Sequence, residues 1–531
     1  MSLYLLISIL APMLTALLLA LLPRKTPSAW VGGLALIGFC VPALISVGVF
    51  IAYSRLDAPD GYQFAWTIAT GLSQFGISLK LGVNGVSVPL FLLAGVVGFA
   101  AGMAAVFSVA ERKRTYLLLL LVMQSGLMGV FCTYDLFYLY FFHEFALVPS
   151  FIMIAIWGGT HRRPAAMEMT IYLTLGAMLS LMGLIGIYAA NDLGSFDLQQ
   201  IQAVLREKGL AAGLQENLFG LLLFGLGILV SLFPFHSWAP RGYGAAPTSV
   251  AMLHAGVLKK FGLYVMVQVA LPLLDQGALR WSEPLAVLAI GNILLIGLVT
   301  MAQKDFKQMI SYASVMHMGY LFLGIASLSL IGVGGAVMLM VGHGLSAALL
   351  FLLCTAVQHR TRSYYLDEMG GLGKDAPVLV GFLMAAMMAS IGLPGFANFW
   401  GELSIFVSLW SWNPLFMVLA LLGIVISAVY GLRAVASIAF GPQTEAYLAI
   451  RKEYPVSDLR MSERVPASLL LLALVLFGLF PSWISRPVDH TLSASIRERE
   501  TLKPDTFQVL PAGSILELQA SPKDVSSETS H

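Results

Sequence analysis

Apolar runs of roughly twenty residues recur along almost the whole chain, separated by short polar connections. An α-helix needs about 20 apolar residues to cross a bilayer. The pattern predicts about fourteen such spans, near 3–22, 31–53, 86–108, 115–133, 136–156, 169–190, 218–240, 247–272, 284–302, 309–329, 332–357, 377–400, 413–437 and 466–484. The first run lacks a basic leading segment and a small-residue cleavage site, so it is expected to be a retained span. Residues 64–83, FAWTIATGLSQFGISLKL within them, alternate enough to predict a short β-hairpin outside the bilayer. Residues 195–215 predict a polar, partly amphipathic connector. The tail beyond Ser485 is rich in Ser, Glu and Lys, carries Pro504 and Pro511, and is expected to be solvated and loosely ordered.

Composition agrees with the pattern. Of 531 residues 58% are hydrophobic and 11% charged, against about 25% charged in soluble domains. The expected class is an all-α polytopic membrane protein. Cys40, Cys132 and Cys354 lie in separate spans and form no CxxC pair, which excludes a disulfide framework and argues against a zinc or iron–sulfur site. The net charge of +2 gives no indication of a nucleic-acid partner.

Basic residues cluster in the odd-numbered connections: Arg24 and Lys25; Arg112, Lys113 and Arg114; Arg162 and Arg163; Arg241; Lys304 and Lys307; Arg360, Arg362 and Lys374; Arg451, Lys452, Arg460 and Arg464. Such loops face the cytoplasm, so both termini are expected on the other side.

Two spans carry proline at comparable places. Span seven contains Pro234 within SLFPFHSWAP, and span twelve, five spans later, contains Pro394 within IGLPGFANFWGE. Proline inside a membrane helix frees backbone groups that protein or water must satisfy. Paired broken helices point to a transport path. Five is odd, so spans 4–8 and 9–13 are expected to be inverted five-helix repeats. The implied organisation is three spans with a hairpin (1–110), a first repeat (111–275), a second (280–440), a loop with the last span (441–485) and the tail (486–531).

Against this background ionisable residues at bilayer depth stand out, since each costs about 2.5–3.5 kcal/mol on insertion scales. Glu144 lies in span five, His236 at the break in span seven, and His254, Lys259 and Lys260 in span eight. His317, His343 and Glu402 follow in spans ten, eleven and twelve. A lone histidine is satisfied by a helix–helix hydrogen bond and a terminal lysine by snorkelling, but Lys260 is far from either end of its span. As neighbours, Lys259 and Lys260 point about 100° apart. Burial penalises charged forms, so such a set exchanges protons near neutral pH. The set predicts a relay of proton or ion carriers. The chain has no GxxxxGK[ST] loop, GxGxxG turn, HExxH or nucleophilic triad, so any redox or hydrolytic step belongs to other chains.

The segments HGLSAALLFLLCTAVQHR, KDFKQMISYASVMHMGYLFLGIAS, GLPGFANFWGE, PFHSWAPRGYGAAPTSVAMLHAGVLKK and ALVPSFIMIAIWGG resemble the subunit M family of bacterial respiratory complex I, the NADH–quinone oxidoreductase. That family is related to cation/proton antiporters, and the resemblance covers roughly residues 80–440. It implies fourteen spans with inverted repeats and no cofactor in this chain. It implies a place in the bacterial inner membrane beside other membrane-arm subunits, further antiporter-like chains among them. Protons are the implied cargo, with Na⁺ the alternative. Glu144, Lys260, Glu402, His317, His343 and His236 match the family's site positions.

Departures accompany the match. The family's span-seven lysine falls at Leu229, the aspartate near span three at Asn84, and the basic residue opening span six at Glu168. RGYG stands where better-known members have an acid and a histidine. Either Lys260 or Lys259 then partners Glu144, or the chain is partly structural. The rival classes are a subunit of a multi-subunit Na⁺/H⁺ antiporter or membrane-bound hydrogenase, and a non-pumping scaffold.

Overall fold

A computed structural model of the chain describes residues 1–500 apart from 24, 58, 60 and 191–193, with side chains through residue 493. The expectations for Arg24 and for the tail from residue 501 lie outside the described residues.

The architecture is helical with one small sheet. Helices α1 (Ser2–Leu21) and α2 (Ser28–Ser54) precede strands β1 (Gln63–Ile68) and β2 (Leu79–Val83), which pair antiparallel as the alternation predicts. Next come α3 (Ser87–Phe107), α4 (Lys113–Cys132), α5 (Leu136–Trp157) and α6 (Arg162–Ala190). The polar connector holds α7 (Leu198–Lys208), whose N-cap Asp197 receives Lys80 Nζ at 2.5 Å and so ties it to the hairpin. Helices α8 (Ala212–Val230) and α9 (Trp238–Ala245) are the two halves of span seven. Then follow α10 (Thr248–Leu273), α11 (Asp275–Ala302), α12 (Phe306–Ala326) and α13 (Leu330–Thr361). Helices α14 (Pro377–Ile391) and α15 (Ala397–Trp412) form span twelve, before α16 (Pro414–Ala439), α17 (Glu445–Glu453), α18 (Met461–Leu479) and α19 (Ser482–Glu500).

Among the described residues thirteen helices are long and apolar enough to cross a membrane. The difference from fourteen is span twelve, which Gly392–Phe396 divides into two shorter helices. The other correction concerns residues 486–500, which are helical rather than loosely ordered. Ile484, Val488 and Leu492 are buried at four-residue spacing. That stripe, hidden in a polar composition, docks α19 on α13, and Thr491 Oγ1 accepts from Gly85 N at 3.0 Å.

Burial is uneven, and this places the polar residues. The most apolar stretches of α10 and α13 are wholly buried and that of α12 nearly so, whereas α1, α2, α6, α16 and α18 turn Leu17, Ile37, Met178, Val425 and Leu472 outward. Outer helices supply the apolar perimeter expected of lipid contact. The central three carry His254, Lys259, Lys260, His317 and His343.

The break in span seven is repaired by two side chains. From α11, Asn292 Oδ1 accepts from Phe233 N at 2.6 Å, while Nδ2 donates to Ser231 O at 3.0 Å and to Val315 O at 2.9 Å. Trp238 Nε1 donates to Ile228 O at 3.0 Å. Backbone groups freed by the broken helix are thus paired within the protein.

Candidate functional site

Helix α10 departs from regular α geometry at two π turns, His254–Leu258 and Met266–Ala270. Such turns shift the faces that neighbouring residues present. Beside the first, α10 and α13 meet backbone to backbone. A methyl group at Gly256 would lie 3.0 Å from Gly344 O, and one at Gly344 would lie 2.6 Å from Gly256 O. Glycine at both positions permits this approach. It brings Lys260, four residues beyond Gly256, to His343, next to Gly344.

Lys260 Nζ donates to Ala255 O at 2.5 Å and meets His343 Nδ1 at 2.9 Å. The ring of His343 lies 5.8 Å from that of His317 on α12. His317 Nδ1 stands 3.8 Å from Glu402 Oε1, and its Nε2 is 3.3 Å from Tyr430 Oη. All four titratable side chains are at least 96% buried. Lys260, His343, His317 and Glu402 therefore form one file across α10, α13, α12 and α15. Glu402 sits against the span-twelve break, where Gly392 has φ +85° and any side chain would collide with the carboxylate.

Lys259 faces elsewhere. Its Nζ lies 5.5 Å from the Tyr243 ring centroid and has no hydrogen-bond partner. Tyr243 Oη meets His254 Nδ1 at 3.2 Å. The adjacent lysines thus serve different sides of α10, as their angular offset predicts.

Glu144 lies apart from both lysines. The nearest charged partner recorded for it is His143, with Nδ1 3.4 Å from Glu144 Oε1. The expectation that Lys260 or Lys259 contacts Glu144 is corrected: Lys260 is held by Ala255 and His343, and Lys259 by the Tyr243 face. Glu144 keeps 34% of its side chain exposed on the surface of the isolated chain. His236, half-buried, contacts Pro234 O at 3.2 Å and stacks on Phe233, away from the file. Leu229 is buried among apolar neighbours in α8, and Asn84 caps α3 by accepting from Ser87 N at 2.9 Å.

Two departures noted in the sequence prove to be one. Glu168 Oε2 accepts from Arg241 Nη1 at 2.7 Å and its Oε1 from Ser237 Oγ at 2.8 Å. An acid on α6 and a base on α9 thus pair across the two helices. Glu168→Lys alone is expected to lower the melting temperature of the complex by a few degrees, since a partly exposed pair is worth about 1 kcal/mol. Glu168→Lys with Arg241→Glu should recover most of that loss. An additive double-mutant cycle would show that the pair contributes nothing.

A cavity of about 660 Å³ opens on the side of the basic loops, lined by Arg162, Lys307, Tyr116, Thr248 and Ser249 among others. Ser249 is one and a half turns of α10 before His254, about 7.5 Å along the axis.

Three comparisons bear on this arrangement. Residues 133–427 match the family described as NADH:quinone oxidoreductase/Mrp antiporter, TM. The chain belongs to that transmembrane family. It is 31% identical over 509 residues to NAD(P)H-quinone oxidoreductase chain 4 of Gloeobacter violaceus, covering 93% of this chain and 94% of that one. It is 30% identical over 483 residues to NADH-quinone oxidoreductase subunit M of Rickettsia typhi, covering 90% and 95%. A chain of respiratory complex I from Thermus thermophilus with bound NADH superposes with a TM-score of 0.82 at 27% identity, over 93% of this chain and 99% of that chain. The family expectation is met over nearly the full length. Four residues of the site escaped sequence reasoning: His143, Tyr243, Asn292 and Tyr430. The adjacency of His143 to Glu144 was a usable signal, whereas Asn292 carried none.

Proposed function

We propose that this chain is a proton-translocating membrane-arm subunit of a bacterial NADH:quinone oxidoreductase. Redox chemistry takes place in other subunits, and this chain moves H⁺ through buried side chains. The observation that carries the reading is the file Lys260–His343–His317–Glu402, four buried titratable groups linked across four helices. Titratable groups so deep in an apolar protein are costly unless they act on ions. No redox or hydrolytic site is expected in this chain, and no cofactor is assigned to it.

The polar cavity among the basic loops is the cytoplasmic mouth on this reading, and the positive-inside pattern supports an inner-membrane orientation with both termini outside the cytoplasm. The two broken spans support inverted repeats over spans 4–8 and 9–13. The partners are further membrane-arm subunits, antiporter-like chains among them. Glu144, partly exposed in the isolated chain, faces such a neighbour.

Glu144→Gln tests the reading in the whole complex reconstituted in vesicles. Proton uptake per NADH oxidised is expected to fall by at least half, with oxidation by an artificial acceptor retained. Unchanged uptake would favour a structural scaffold. Uptake that tracks Na⁺ rather than H⁺ would favour the antiporter alternative.

A further inference from the structure

Glu144 must exchange protons with the interior without touching either lysine. Beside Glu144 on α5 is His143, 98% buried. Its ring stacks on Phe261 of α10 at 3.8 Å between centroids, with planes 18° apart. Its Nδ1 is 3.4 Å from Glu144 Oε1, and neither atom has a hydrogen-bond partner. Helix α5 packs against the π turn His254–Leu258. On the far side of the contact, His254 Nε2 and Lys259 Nζ are also buried without partners. His143 and Lys259 are both within electrostatic reach of His254. Two unpartnered polar atoms on α5 and two on α10 thus belong to helices that touch at this turn. Buried polar groups are nearly always paired, so a concentration of exceptions marks a place where pairing changes during function.

We propose that His143 is a proton-transfer residue linking Glu144 to His254 and Lys259, the route that replaces the lysine missing at Leu229. This rests on the translocating function proposed above. The step is balanced within the protein. Protonated Glu144 gives its proton to His143 Nδ1, leaving a carboxylate and an imidazolium. The imidazolium releases its second proton, from Nε2, to His254 or, through it, to neutral Lys259. The ring is then neutral with its proton on Nδ1, and exchange of tautomer readies it for the next proton. The 3.4 Å separation needs a small approach or one bridging water for transfer.

The test uses the complete complex in vesicles. His143→Phe keeps the stack on Phe261 and removes both nitrogens. His143→Gln keeps hydrogen bonding but cannot accept a proton at one atom and release it from another. Both variants are expected to oxidise NADH with an artificial acceptor at the normal rate and to translocate fewer protons per NADH, by at least half. Lys259→Leu should show the same loss, and His143→Phe with Lys259→Leu no further loss. If His143→Phe fails to assemble, His143→Gln carries the measurement alone. Normal stoichiometry in His143→Gln overturns the proposal. Lys260→Ala run in parallel separates the two ideas: deficient pumping there with normal pumping in His143→Gln sinks only the role of His143. Normal pumping in both sinks the translocating function as well.

Discussion

Lys260→Ala is expected to abolish proton pumping while sparing NADH oxidation by an artificial acceptor. The lysine is the first member of the file and the only group joining α10 to His343 by a direct polar contact among the described residues. Alanine interrupts the file and leaves His343 Nδ1 without its donor. A buried hydrogen-bonding atom stranded in this way costs about 1–3 kcal/mol. That is tolerable in a helix packed as closely as α13, so assembly should survive. The measurement is acidification of vesicles containing the whole complex, alongside the artificial-acceptor rate. Lys260→Arg keeps the charge but not the geometry and should recover little, because a planar guanidinium does not fit a site built around one ammonium. Pumping at the normal ratio in Lys260→Ala would remove Lys260 from the pathway.

Asn292→Leu should be the most destabilising single change near the site. One carboxamide satisfies Phe233 N, Ser231 O and Val315 O. Leucine matches its size but strips Phe233 N and Ser231 O of this partner in an apolar interior and removes the extra donor to Val315 O, a carbonyl inside helix α12. At about 1–3 kcal/mol for each lost pairing, the total is several kcal/mol. The expected result is a melting temperature lowered by ten degrees or more, or failure of the chain to assemble. Asn292→Asp keeps one acceptor and should fall between. A melting curve unchanged in Asn292→Leu would show that the break in span seven is held by other contacts.

The sequence made the span architecture legible because hydropathy at membrane depth is a strong constraint. Lys113–Cys132 and Leu136–Trp157 lie within about two residues of the predicted 115–133 and 136–156. The breaks at Pro234 and Pro394 were visible for the same reason: proline has few tolerable settings in such a helix. The start of α11 at Asp275 was hidden, since Gln276, Arg280, Ser282 and Glu283 make its first turns polar. The stripe of Ile484, Val488 and Leu492 was masked by its polar neighbours. Within the site, residue types were legible and partnerships were not. No spacing rule reveals that the π turn and the Gly256–Gly344 contact deliver Lys260 to His343, or that Arg241 pairs with Glu168.

The two lysines leave α10 in different directions, separated by a single peptide unit, which makes the helix a partition between two basins. Charged ammonium groups on adjacent residues repel, and burial weakens the screening of that repulsion. Occupancy of one basin therefore discourages occupancy of the other, and filling alternates. Such a seesaw needs no large movement of the helix, only a change in which neighbour is charged.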